Sequence, residues 1–597
     1  MFTDRLATRI ALRLSIFALD AIPFVAALWT LLALLLHPVP PAIIFFGSLP
    51  LEAIDKVFAY DWHFGLVTSW AAVETIWWIL HSVGRGLVAH GWWDLRSPKE
   101  EIGSEERWRL WVKMCESAED PFDWLGGFFL VPGARRAPRG AVDPNITRVQ
   151  LKDIGRTNVE EYVAHFMFGK KLKSIAPKST EKAELHAMIL LLEAAFQRTR
   201  PGFRFPLGRS RHRVFLLNDE PLRTAHHPLL FYSAIWICSG LSNSALYLAG
   251  FRYYGPRSSW PFPLFLLRGS RRALERVQDS LEASRMGDSK LADSVGYWYW
   301  PGSKAAQEDS KTPFIFLHGI SGTYGPTPFI LLLCWATGRP CFVPELPYVS
   351  MRLSPPSAIR TRIELVAAAR RMLWRHGFGV TFEENDDDDE DWRRGRAVVV
   401  GHSLGAGPVG WLLRDAPDIV AGTVLIDPMS LLLFSADSPR NFFRTKCRTA
   451  GEIFFRYFAM ERGINHFLAR HMRWSDSVLF GPAPVAPLPT SVINALVPRK
   501  AREPLDPAFD KPNYAQFVAP SPSGPFPVTK IFLSKDDCIL PIPKITTYLL
   551  KSGFTDEALT IMPGEHAGCL LSRYWAKEVA KAIDEVADAG EKLLWED

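Results

Sequence analysis

The chain is poor in cysteine, poor in net charge and free of internal repeats. Seven cysteines lie scattered at 115, 238, 334, 341, 447, 538 and 569, with no Cys-x-x-Cys pair. That excludes a small disulfide-stapled secreted frame and reads as reduced, buried thiols, a pattern that leans towards a cytosolic setting. The formal net charge is only +6 over 597 residues. So slight an excess argues against a nucleic-acid partner and leaves room for weak contact with an anionic membrane surface. Charged residues make up 22% and hydrophobic ones 48%, which excludes a disordered chain. The length exceeds what one ordinary core holds, so two or more lobes are expected.

What is present is apolar and aromatic at the amino end. Ala21 to Leu36 is almost wholly apolar, preceded by Arg5, Arg9 and Arg13 and followed by His37-Pro38-Val39-Pro40. This core is short for a full crossing, and no small-residue cleavage site follows it, so a secretory signal is not expected. Leu66 to Val83, with Glu74 and Trp77-Trp78, and Pro228 to Phe251, uncharged but serine-rich, are two further apolar runs. All three could instead be buried helices of a large soluble lobe. The membrane reading is favoured by the first run, whose basic flank keeps the amino terminus in the cytosol. A single span would then put the remainder of the chain across the membrane; a hairpin of the first two runs, or an interfacial anchor, would return it to the cytosol, and that arrangement is favoured.

Residues 1–90 thus form an apolar, Trp-rich anchor region and 91–293 a mainly helical lobe. Within the lobe, Thr157-Asn158-Val159-Glu160 has the form of a capping box, and Glu181 to Arg198 reads as a longer helix. The basic clusters at Arg209–Arg213 and Arg268–Arg276 read as solvated faces. Near residue 294 the texture changes to short β-rich runs alternating with helical patterns, the signature of a parallel sheet with crossover helices. "VGYWYW", "PFIFLHG", "CFVPELP", "AVVVGHS", "GTVLIDP", "PVTKIFLS" and "ALTIMP" read as strands, with helices at about 357–375, about 405–414 and from about 572. Between them lie an acidic block, Glu383 to Asp391, read as a surface insertion, and a helical, aromatic interval at 429–521.

One motif carries chemistry. In "AVVVGHSLGAG" a strand runs into Gly401-His402-Ser403-Leu404-Gly405. A serine hydroxyl reacts only when exposed and served by a base. A tight strand-to-helix turn exposes it, and the neighbours two away must then be nearly free of side chain. The Leu404 N–H, at the start of the following helix, is placed to stabilise a developing oxyanion. A second donor is expected from the loop after an earlier strand; in "FIFLHGISGTYG", Gly319 would turn the chain and aim the Ile320 N–H. An acid and then a histidine should follow. "SKDDCILP" offers Asp537, with Asp536 as the alternative and Asp427 as a third; "MPGEHAGCL" offers His566. His471 and Asp476 have a His-x4-Asp spacing, which we read as packing within the lid.

Taken in order, "FLHG", "GHSLG", "SKDDCILP" and "GEHAG" resemble the α/β-hydrolase superfamily over residues 294–597. The resemblance implies a mostly parallel eight-stranded sheet with a helical lid at 429–521, between the sixth and seventh strands. It implies Ser403, Asp537 and His566 as triad and Ile320 and Leu404 as oxyanion donors, with no metal or organic cofactor. The preceding helical lobe looks like that of large membrane-associated hydrolases. The expected function is a serine esterase or lipase-like enzyme acting on esters with an apolar acyl part. Acyl transfer through the same acyl-serine, and a silent membrane scaffold of the same fold, are the alternatives.

Overall fold

The computed structural model describes residues 4–36, 62–89, 102–130, 149–216, 218, 224–255, 295–354, 358–378, 396–444, 447, 449–502 and 528–592. The acidic block at 383–391 and the basic cluster at 268–276 lie outside the described residues.

The carboxy-terminal part is built on eight strands: β1 (Arg252–Tyr254), β2 (Tyr297–Trp300), β3 (Phe314–Leu317), β4 (Cys341–Pro344), β5 (Ala397–His402), β6 (Val420–Ile426), β7 (Val528–Ser534) and β8 (Leu559–Met562). Their order across the sheet is β1-β2-β4-β3-β5-β6-β7-β8. β2 is antiparallel to both neighbours, and every later pairing is parallel. Seven of these were expected. β1 was not, and it places the start of the sheet upstream of residue 294. Three residues on an antiparallel edge give no alternation to read.

β5 and β6 are buried along their whole length, as strands covered on both faces must be, and their apolar runs reflect this. Alternate residues serve opposite faces. Val398 and Val400 pack in one core with the helices Thr327–Thr337 and Arg573–Lys592. Ala397 and Val399 face the other core, with the helices Arg362–Arg375 and Ala406–Asp415.

That second core does not stop at the sheet. It continues into the helical lobe through Trp108, Trp111, Phe128 and Phe196. The lobe also grips the interval between β6 and β7. Trp124 meets Phe434 edge-on at 5.6 Å, and the Glu116 carbonyl and carboxylate accept the Ala486 and Leu488 N–H groups. The helix expected to open with a capping box at Thr157 instead spans Arg156–Phe168, with Gly155 before it. The first N–H groups find acceptors in a neighbouring segment, Arg156 on the Pro206 carbonyl at 2.7 Å and Thr157 on that of Gly208 at 3.0 Å. A side chain at 155 would strike the Gly208 carbonyl oxygen at 2.4 Å, so tertiary contact overrides the local cap.

The apolar runs at the amino end are helices: α1 (Leu6–Leu36), α2 (Trp62–Ala89) and α3 (Leu229–Leu248). α1 and α2 pair antiparallel through Trp29 to Thr68 (3.1 Å), Thr30 to Thr75 (3.3 Å) and Phe24 to Trp78 (5.0 Å between rings). α1 is long and apolar enough to cross a membrane and is mostly unburied; α3 passes the same test but is nearly half buried.

Candidate active site

Ser403 sits where β5 ends and the next helix begins. Its φ is +54°, a left-handed conformation that non-glycine residues adopt rarely and at a cost. The two flanking glycines have separate steric reasons. A Cβ on Gly401 would meet Val409 Cγ2 at 2.6 Å, and one on Gly405 would meet the Leu317 carbonyl oxygen at 2.0 Å. The turn therefore packs helix on strand with no room for a methyl group.

The structure brings three of the expected residues into one hydrogen-bonded line. Ser403 Oγ lies 2.8 Å from His566 Nε2, and His566 Nδ1 lies 2.5 Å from Asp537 Oδ2. The partners fix the tautomer: Nδ1–H donates to the carboxylate and Nε2 accepts from the hydroxyl. Asp537 is held in turn by the Ile539 and Leu540 N–H groups, which donate to its Oδ1 at 2.7 and 2.9 Å. Asp536, the alternative in the doublet, is exposed. Burial disfavours a charged imidazole, but the Asp537 carboxylate, with Asp427 nearby, outweighs it and raises His566 to about 9. Such a line can draw a proton from the hydroxyl and stabilise the imidazolium that results.

The loop after β3 passes directly against the serine. A Cβ on Gly319 would lie 3.0 Å from Ser403 Cβ and 3.2 Å from His402 Nδ1, so a side chain at 319 would crowd the nucleophile and force a small shift of the segment carrying Ile320. His318 fixes this loop: its ring donates through Nδ1 to the Gly319 carbonyl at 2.9 Å and accepts the Leu346 N–H on Nε2 at 3.2 Å. Burial lowers its pKa to about 4, so the ring is neutral at ordinary pH. Leu404 follows the serine, buried at the opening of the next helix.

The helix Ala450–Ala459, between β6 and β7, stands over the histidine. Phe455 meets His566 at 5.9 Å between rings, and Thr449 Oγ1 donates to Glu565 at 3.2 Å. Asp4 Oδ1, just before α1, accepts the Ala450 N–H at 3.0 Å. By contrast, Asp476 faces Arg362 at 4.0 Å and His471 packs on His466; this pair is part of the packing of its region.

Sequence reasoning did not foresee how closely Asp427 stands to the line. Ligand-capable atoms of Asp427, Asp537 and His566 all lie within 4.8 Å of one another. On distance alone the three could hold a cation. Their atoms are already engaged, however, by the Ser534, Ala567, Ile539 and Leu540 N–H groups and by Ser403. In the sequence, the position of Asp427 after a strand marks it only as a third candidate for the acid.

Sheet order, turn and site together define the class: the carboxy-terminal part of this chain is an α/β-hydrolase domain, preceded by a mainly helical region. A sequence profile of the alpha/beta hydrolase family matches residues 314–591. No curated protein sequence matches significantly. Similar solved structures include a hormone-sensitive lipase from a metagenome library, at 15% identity, covering 60% of this chain and 97% of that one with a TM-score of 0.27. A putative lipase from Acinetobacter baumannii is 12% identical, covering 49% and 89%, with a TM-score of 0.30. A membrane phospholipase A, a bacterial virulence factor, is 12% identical, covering 61% and 96%, also with a TM-score of 0.30. Similarity at this level says nothing about substrate.

Proposed function

We propose that the chain is a serine hydrolase that cleaves carboxylic esters of lipids at a membrane. The hydrogen-bonded line from Ser403 through His566 to Asp537 carries the reading. Ser403 Oγ attacks the acyl carbonyl while His566 Nε2 takes its proton. The oxyanion is met by the Ile320 and Leu404 N–H groups. His566 returns the proton to the departing alcohol, and water then releases the acid from Ser403 by the same steps in reverse. Asp537 keeps the imidazole in its tautomer and balances its charge.

A lipid substrate is supported by the apolar surroundings. α1 leaves Phe17, Phe24, Leu28 and Leu35 more than half exposed, as α3 does Trp236, Ile237 and Leu241. A soluble protein rarely leaves so much contiguous apolar helix uncovered. The α1–α2 hairpin would dip into the bilayer and return, with Arg5, Arg9 and Arg13 at the cytosolic end beside the lid helix. An acyl ester dissolved in the bilayer would then reach the site over a short path.

A fluorophosphonate probe tests the chemistry. Ser403 should be the labelled residue, and Ser403→Ala should abolish labelling in membrane fractions. Undiminished labelling of Ser403→Ala, or none of the wild type, would end the proposal.

A further inference from the structure

Resting on the serine-hydrolase reading, the geometry points to Asp427 as a positioning residue that clamps the loop bearing His566 and sets the basicity of its ring as a second fixed negative charge. Asp427 follows β6, whereas Asp537 follows β7. It is fully buried. Its Oδ1 accepts the Ser534 N–H at 2.7 Å; its Oδ2 accepts the Ser534 hydroxyl at 2.8 Å and the Ala567 N–H at 2.9 Å. Burial and the neighbouring Asp537 raise its pKa, while the His566 ring and the Ala567 and Ser534 N–H donors favour the ionised form that acts here. Through Ala567 it holds the residue next to His566, and through Ser534 it holds the end of the strand that leads to Asp537.

Three of the six non-glycine residues with left-handed φ among the described residues lie at this site: Ser403 at +54°, Asp427 at +45° and Ala567 at +61°. Such conformations persist where surrounding contacts over-determine them. A purely structural tie between two loops would not require a buried carboxylate. An amide or hydroxyl would satisfy N–H donors without placing a second anion within 4.8 Å of Asp537.

The groups facing His566 can be named from each element. Asp537 comes from the turn after β7 and Asp427 from the turn after β6. Ser403 and His402 come from the end of β5, with the His402 ring at 6.0 Å. Phe455 comes from the lid helix. Glu565, adjacent in sequence, accepts the Thr449 hydroxyl. Burial holds His402 down at about 3, so it brings no charge. With neutral His566, two carboxylates face each other across a buried site; protonation of the ring relieves both. The arrangement makes the ring a stronger base and stabilises the imidazolium formed as Ser403 attacks.

The test is the pH dependence of fluorophosphonate labelling and of kcat/KM on a short-chain ester, with the full chain in detergent or vesicles. In Asp427→Asn the acid limb should move to lower pH by about one unit or more, since a unit charge inside 5 Å has been removed, and kcat/KM should fall about tenfold. Ser534→Ala removes one tie but no charge, so its limb should stay where it is in the wild type. A folded Asp427→Asn protein with an unmoved limb overturns the inference. Should that variant not fold, Asp537→Asn decides: Asp427 then holds the limb above the ordinary imidazole value of about 6.5, and a limb below it overturns the inference. Wild type that fails to label at Ser403 sinks the serine reading itself, a result distinct from an unmoved limb.

Discussion

Gly405→Ala is the sharpest test of how the nucleophile turn is built. The backbone there, φ −59° and ψ −18°, is ordinary right-handed helix, so alanine is conformationally acceptable. In an open helix the change would stabilise by roughly 0.5–1 kcal/mol. Here the added methyl would sit 2.0 Å from the Leu317 oxygen and 2.6 Å from its carbonyl carbon. That falls about 1.4 Å short of ordinary contact. The obstacle is backbone of β3, a strand paired on both sides, and it cannot rotate away. The turn must lift, at a cost at or above the usual ~1–3 kcal/mol of overpacking. A shift of ~1 Å at Ser403 should slow labelling ~100-fold. Gly407→Ala is the matched control, since its nearest neighbours, in Ser477, are 3.7 Å away; it should label within about threefold of wild type and be no less stable. Denaturation and labelling rates measured on both variants decide. A Gly405→Ala protein as stable and as reactive as wild type would refute the steric account of the turn.

Four further outcomes are expected. The base works only when neutral, so kcat/KM should rise with pH through a midpoint lifted from the ordinary value of about 6.5 towards about 9; a midpoint below about 6.5 contradicts the charge arrangement. The same raised pKa stabilises the fold fully below about 6.5, and this stability is lost as pH rises through about 9; the melting temperature of wild type relative to His566→Ala should narrow across that window. Glu193 is fully buried and accepts Arg156 and Arg204 at 2.9 Å and the Phe205 N–H at 3.1 Å. Glu193→Ala should therefore destabilise by about 3 kcal/mol or more, and an unchanged thermal midpoint would speak against it. Leu28 and Leu35 are mostly exposed on α1. Leu28→Glu with Leu35→Glu removes little internal packing but opposes insertion by a few kcal/mol (~2 or more), so sedimentation with membranes should fall while labelling in detergent persists. Unchanged sedimentation would count against the anchor.

Much of this molecule was legible because local patterns carry it. Seven strands announce themselves as short apolar runs, and the order serine, acid, histidine follows from which strand ends bear them. The crowding that demands glycine at 401 and 405 comes from a helix packed tightly back on its strand, although Ser403 itself is buried there. Other features depend on residues far apart in sequence. Asp536 and Asp537 are adjacent and chemically identical; only the fold of the turn exposes one and aims the other at His566. Gly155 opens its helix because the 206–208 segment supplies the acceptors. β1 forms because β2 offers it an edge. The helical lobe shares its core with one face of the sheet, which no composition shift near residue 294 could reveal. Sequence by itself determined the kinds of element and the chemistry they present, since side-chain pattern and turn sterics act within a few residues. Tertiary structure alone decided which acid faces the ring and that a second carboxylate stands beside it, because those depend on distances between strand ends 29 and 140 residues apart in sequence.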